Sequence, residues 1–72
     1  MPLVQIHVPA GSLDAERKQQ MVSLVTDAVV EAEGGYDAVR ANTWVHILEV
    51  PDGGWGMAGR AITLEQMRAA LG

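Results

Sequence analysis

The chain has 72 residues, of which 49% are hydrophobic and 19% charged, and a formal net charge of −4. This is too apolar for a disordered chain, too acidic for a nucleic-acid surface, and short enough that residues 1–72 form a single domain. A domain this small buries only about 60% of its unfolded surface, and with no cysteine and only two histidines, His7 and His46, neither disulfides nor a structural zinc can reinforce it, so self-association is the remedy left.

From Pro2 to Val8 the pattern alternates. Val4, Ile6 and Val8 point one way and Leu3, Gln5 and His7 the other, which predicts a strand with one apolar face. "PAG" at Pro9 to Gly11 ends it. Met21, Leu24, Val25, Ala28, Val29 and Ala32 then recur at helical spacing, predicting a helix over Leu13–Glu33. Ser12 is the expected N-cap, Asp14 and Glu16 suit the first turn, and Gly34–Gly35 stop the helix. After a short polar connection, "TWVHILEV" at Thr43 to Val50 reads as a second strand, and "PDGG" at Pro51 to Gly54 as a turn. "GGWGMAG" is too glycine-rich for a helix interior and reads as a hairpin. Thr63 and Gln66 have capping-box spacing, so a short helix closes the chain. No stretch approaches the ~18 apolar residues of a membrane span. No basic segment precedes an apolar one as in a secretory signal, so a soluble, cytoplasmic protein is expected.

Strand, helix and strand make a β-α-β unit with parallel strands. Two strands do not form an independently stable sheet, and one helix covers only one face. The other face and the edges need partners, and a second copy of the chain supplies them. The fold class is therefore α/β: a small β-α-β protomer with a C-terminal hairpin and short helix, assembled into an oligomer.

Together these features resemble the tautomerase superfamily, in its short 4-oxalocrotonate tautomerase-like branch. The resemblance lies in "MP" followed by the alternating "PLVQIHV", a glycine, the helix "ERKQQMVSLVTDAV", the strand "TWVHILEVP" and the segment "GGWGMAGR". It implies removal of Met1, with Pro2 becoming a catalytic N-terminal residue. It also implies a hexamer built as a trimer of dimers, a small enol or keto acid as substrate, and no cofactor. The chemistry suits the residue. A freed Pro2 carries a secondary amine, and an α-amino group titrates at about 7.7–8.0 before burial lowers it. Such a group can take a proton next to a carbonyl and return it elsewhere, as base and then acid.

Two departures from the family stand out. An arginine follows the first-strand glycine in the branch; here that position is Ser12 or Leu13. A second arginine opens its second strand; here Trp44 stands there, and neither replacement binds a carboxylate as arginine does. Trp55 matches the family's aromatic wall. Arg60 is a candidate replacement anion binder or else a solvated surface residue. Arg40 is a further candidate, more simply structural. Trp44 reads as a buried or interfacial strand residue, or as a pocket wall favouring a less charged or aromatic substrate. His7 and His46 read as structural, Met21, Met57 and Met67 as core filling, and Glu49 as an interfacial carboxylate lacking an acid–base partner. Two competing readings stand beside the tautomerase. One is hydration or dehalogenation through the same proline. The other is a non-catalytic oligomeric binding protein, or one subunit of a mixed oligomer.

Overall fold

The computed structural model describes residues 2–72. Met1, on whose removal a free Pro2 amine depends, lies outside the described residues. The elements are β1 (Leu3–Pro9), α1 (Ala15–Ala32), α2 (Asp37–Ala41), β2 (Trp44–Val50), β3 (Gly56–Met57), β4 (Arg60–Ala61) and α3 (Leu64–Leu71). β1 and β2 pair in parallel, with Leu3 opposite Trp44, Gln5 opposite His46 and Pro9 opposite Val50. β3 and β4 form an antiparallel hairpin. The β-α-β unit, the hairpin and the closing helix are thus those the sequence predicts.

Three details differ. First, α1 is capped by Asp14, whose carboxylate accepts from the Arg17 amide at 2.8 Å. Ser12 instead sits in the preceding turn, its own amide donating to Pro9 O at 3.0 Å. The carboxylate is the stronger cap because its charge also meets the positive end of the helix dipole. Second, the stripe that packs on the sheet is Lys18, Met21, Val22, Val25, Thr26, Val29 and Val30, all at least partly covered. The expected stripe was rotated from this one: Leu24, Ala28 and Ala32 are exposed. Third, the connection contains α2, a five-residue helix. Its first turn has no side-chain cap, and it is held from outside by an ion pair between Arg40 and Asp27 of α1. A helix that short has no periodicity to read.

Only one side of the sheet is covered. Val4, Ile6, Val8, Val45 and Ile47 lie on the α1 side and are partly buried, whereas Leu3, His7, Trp44, His46 and Leu48 on the other side are exposed. Among the described residues no hydrophobic side chain is fully buried. The radius of gyration is 14.9 Å, against about 11 Å for a compact chain of this length. The accessible surface is 5296 Å² for 7.7 kDa, about 1,000 Å² above the monomer trend. That excess is comparable to what one partner contributes to an ordinary stable interface.

Light scattering at micromolar concentration should therefore give a mass several-fold above 7.7 kDa. Leu48→Asp, which places a charge on the uncovered face, should lower that mass and the helical circular dichroism together. A stable 7.7 kDa species in the unaltered protein would contradict this.

Candidate active site

β1 begins immediately after Pro2, and the Trp44 amide donates to Pro2 O at 3.0 Å. That bond opens the parallel ladder and fixes the half-buried proline at the N-terminal edge of the sheet. Around it lies a cavity of about 230 Å³ lined by Pro2, Leu3, Asn42 and Trp44. The Trp44 ring stacks on His46, with centroids 6.0 Å apart and planes at 27°, which orients its indole beside the cavity. Trp44 is 59% exposed, so the expected buried strand position is not what this chain forms by itself. Asn42 is the C-cap of α2, and its side-chain amide donates to Ala38 O at 2.8 Å.

The structure brings Pro2 and Trp44 together but leaves the other candidates elsewhere. Trp55 lies past the opposite end of β2 and lines a cavity of about 300 Å³ with His7, Val8, Pro9, Val50 and Met67. Strand rise puts that end roughly 20 Å from Pro2. The Trp55 indole nitrogen is buried without a hydrogen-bond partner among the described residues. Arg60 sits on β4, beside the hairpin turn, and shares a second groove with Trp55. Arg40 is paired with Asp27 and does not line the Pro2 cavity. His7 and His46 lie on the same sheet face but are not opposite each other, since Gln5 faces His46 and His7 faces Leu48.

The hairpin that carries Arg60 is built by its turn residues. Ala58 and Gly59 both have positive φ, 52° and 79°, as a two-residue hairpin turn of matching twist requires. Gly56 is needed for a different reason: a Cβ there would lie 2.0 Å from Arg60 O, so only glycine lets the two strands approach. α3 is tied back by its Thr63–Gln66 capping box and by Asp52, which accepts from the Leu64 amide at 2.8 Å. Arg68 of α3 donates to Gly11 O at 3.2 Å, securing the loop that carries Ser12.

Glu49 secures the same loop. It accepts from the Gly11 amide at 3.3 Å and pairs with Lys18 at 3.3 Å. The Gly11 amide first, and Lys18 second, hold its carboxyl below the usual range. Glu49 thus has a structural partner in Lys18, which no spacing rule indicated because the two lie on different elements. Asn42 and Leu3 were likewise missed as cavity residues. The one available signal was Asn42's place just before the strand that opens with Trp44.

Comparison with known proteins agrees with this architecture. The family described as "Tautomerase enzyme" matches residues 2–65. A 2-hydroxymuconate tautomerase from Pseudomonas putida is 42% identical over 59 residues, which is 82% of this chain and 87% of that one. Another from Comamonas testosteroni is 39% identical with the same coverage. Among solved structures, a 4-oxalocrotonate tautomerase isozyme from Methylibium petroleiphilum superposes with a TM-score of 0.72 at 30% identity, covering 92% of this chain and 97% of that one.

Two outcomes follow from the geometry. Gly56→Ala should cost about 1–3 kcal/mol through overpacking at the hairpin, seen as a lower denaturant midpoint and a changed Trp55 emission. Glu49 has a folded-state pKa lowered from its unfolded value, so its contribution is present above the ordinary carboxylate range and is lost as pH falls through and below it. Acid unfolding followed by circular dichroism should therefore be less steep in Glu49→Gln than in the parent.

Proposed function

The chain belongs to the tautomerase family and is an isomerase, and on that premise we propose that Pro2, freed by removal of Met1, is its general base and acid. The reaction is a cofactor-independent exchange of keto and enol forms in a small carbonyl acid. The neutral amine takes the enol hydroxyl proton, and the ammonium so formed delivers a proton to carbon, leaving the ketone. The five-membered ring has few conformations, so the lone pair is held in one direction while the proton moves. The observation that carries this reading is the cavity at the start of β1, which has Pro2 in its wall. The Pro2 carbonyl is occupied by Trp44, so binding the strand uses the carbonyl and leaves the ring nitrogen uninvolved in the ladder.

Trp55 and Arg60 lie at the far end of the sheet from Pro2. In the assembled hexamer a second copy would bring them to the Pro2 cavity, Trp55 as an aromatic wall and Arg60 as an anion binder. Such a site is complete only between chains, so activity and assembly are lost together. Hydration or dehalogenation is the weaker reading, because among the described residues the Pro2 wall carries no carboxylate to activate water.

Intact mass should show the native protein without Met1. Ketonisation of an enol acid should fall at least ~100-fold in Pro2→Ala, the usual range for loss of a general base. Below the amine's pKa the parent's kcat/KM should drop roughly tenfold per pH unit, because only the neutral amine accepts a proton. Retention of Met1, or full activity in Pro2→Ala, would assign the chemistry to another group.

A further inference from the structure

We propose that Asp27 and Arg40 are positioning residues for Pro2: their ion pair sets α2 on α1, and α2 in turn sets Asn42 and the Trp44 amide against the proline. The proposal rests on Pro2 as the reacting group and concerns what fixes it in place. Every link is a contact within one chain, made by α1, α2 or the backbone, and none uses a side chain of the uncovered sheet face.

The chain of contacts starts at Pro2. A residue at a chain end is ordered only where something ties it down. What ties Pro2 to the sheet is the Trp44 amide, which donates to its carbonyl at 3.0 Å. The residues leading into Trp44 hang from the last turn of α2. The Asn42 amide donates to Val39 O at 3.2 Å and the Thr43 amide to Arg40 O at 3.4 Å. The Asn42 side chain donates to Ala38 O at 2.8 Å, and the Thr43 hydroxyl to Val39 O at 2.6 Å. These bonds carry residues 42–44 along with α2, and Asn42 lines the cavity that holds Pro2.

α2 does not hold itself. It has five residues, no side-chain cap at its start and no buried residue, and a helix so short is marginal alone. Arg40 lies in its last turn, the turn from which Thr43 hangs, and pairs with Asp27 of α1. Both side chains are about half exposed, at 50% and 53%, so the pair adds little to global stability. A segment this lightly held opens locally while the rest of the fold stays intact. Loss of the pair therefore registers in the geometry at Pro2 and not in global unfolding. A proton-transferring group displaced from its line of attack costs turnover.

The test measures ketonisation of 2-hydroxymuconate or phenylenolpyruvate, whichever the parent converts faster. Asp27→Asn and Arg40→Gln should each lower kcat roughly two- to fivefold, the range of an exposed ion pair. KM, helical circular dichroism and assembled mass should stay at the parent's values. The double variant should be no worse than the poorer single variant, as two residues acting through one contact require. Asp27→Glu, which keeps the charge, should retain most of the parent's kcat. Arg40→Gln breaks the pair from the other element, so a folding defect in one variant leaves the second to decide. Amide hydrogen exchange reports the link without turnover: the Trp44 amide should exchange several-fold faster in Asp27→Asn, with amides in the middle of β2 unchanged. A kcat unmoved in both single variants, a loss confined to KM, losses that multiply in the double variant, or an unmoved Trp44 amide overturns the proposal. Full turnover in Pro2→Ala would instead sink the assignment of Pro2, while Trp44 exchange would still decide whether the pair holds α2.

Discussion

The hydrogen bond from the Trp44 amide to the Pro2 carbonyl opens the parallel ladder, and much of the molecule follows from it. Parallel pairing in this register forces the chain to travel the length of the sheet between strands, which α1 does. It sets Pro2 at one edge, with Asn42 and Trp44 across from it. It also sends the chain out of β2 at the opposite edge, so Trp55 and Arg60 emerge far from the proline. One pairing therefore both forms the Pro2 cavity and separates it from the other candidate residues.

The same pairing explains why the protomer is incomplete. A helix laid on one face leaves Leu3, Trp44, His46 and Leu48 in solvent, and the chain ends with no fully buried hydrophobic side chain among the described residues. Small polar attachments hold its periphery. Asp52 and the capping box fix α3, Arg68 and Glu49 fix the Gly11 loop, and the Arg40–Asp27 pair fixes α2. These orient elements, but exposed pairs of this kind stabilise little. The uncovered apolar surface is the larger reserve of stability, since burying it would remove apolar area from water.

Much of this was legible from residue order. Alternation in "LVQIHV" and "WVHILEV" marked both strands, and the Thr63–Gln66 spacing marked α3, because each pattern is local and the structure honours it. The N-cap was misread at Ser12 because two good capping residues, Ser12 and Asp14, lie close together. Which one caps depends on where the Gly11 turn finishes. The helix stripe was misread because α1 has apolar residues on more than one side, Leu24 and Ala28 included, and only the sheet determines which side it covers. α2 escaped because five residues show no periodicity, and the Arg40–Asp27 pair that orients it reaches another element.

The sequence by itself determined both long strands, the long helix, the hairpin and the closing helix, and their order, since these rest on local periodicity or on the identity of single residues. Only the tertiary structure decided which residues share a space. It joined Pro2 to Asn42 and Trp44, held Arg40 away with Asp27, and placed Trp55 and Arg60 at the other end of the sheet. The reason is physical: strand register and helix rotation are set by contacts between segments distant in sequence, and no pattern within one segment carries that information.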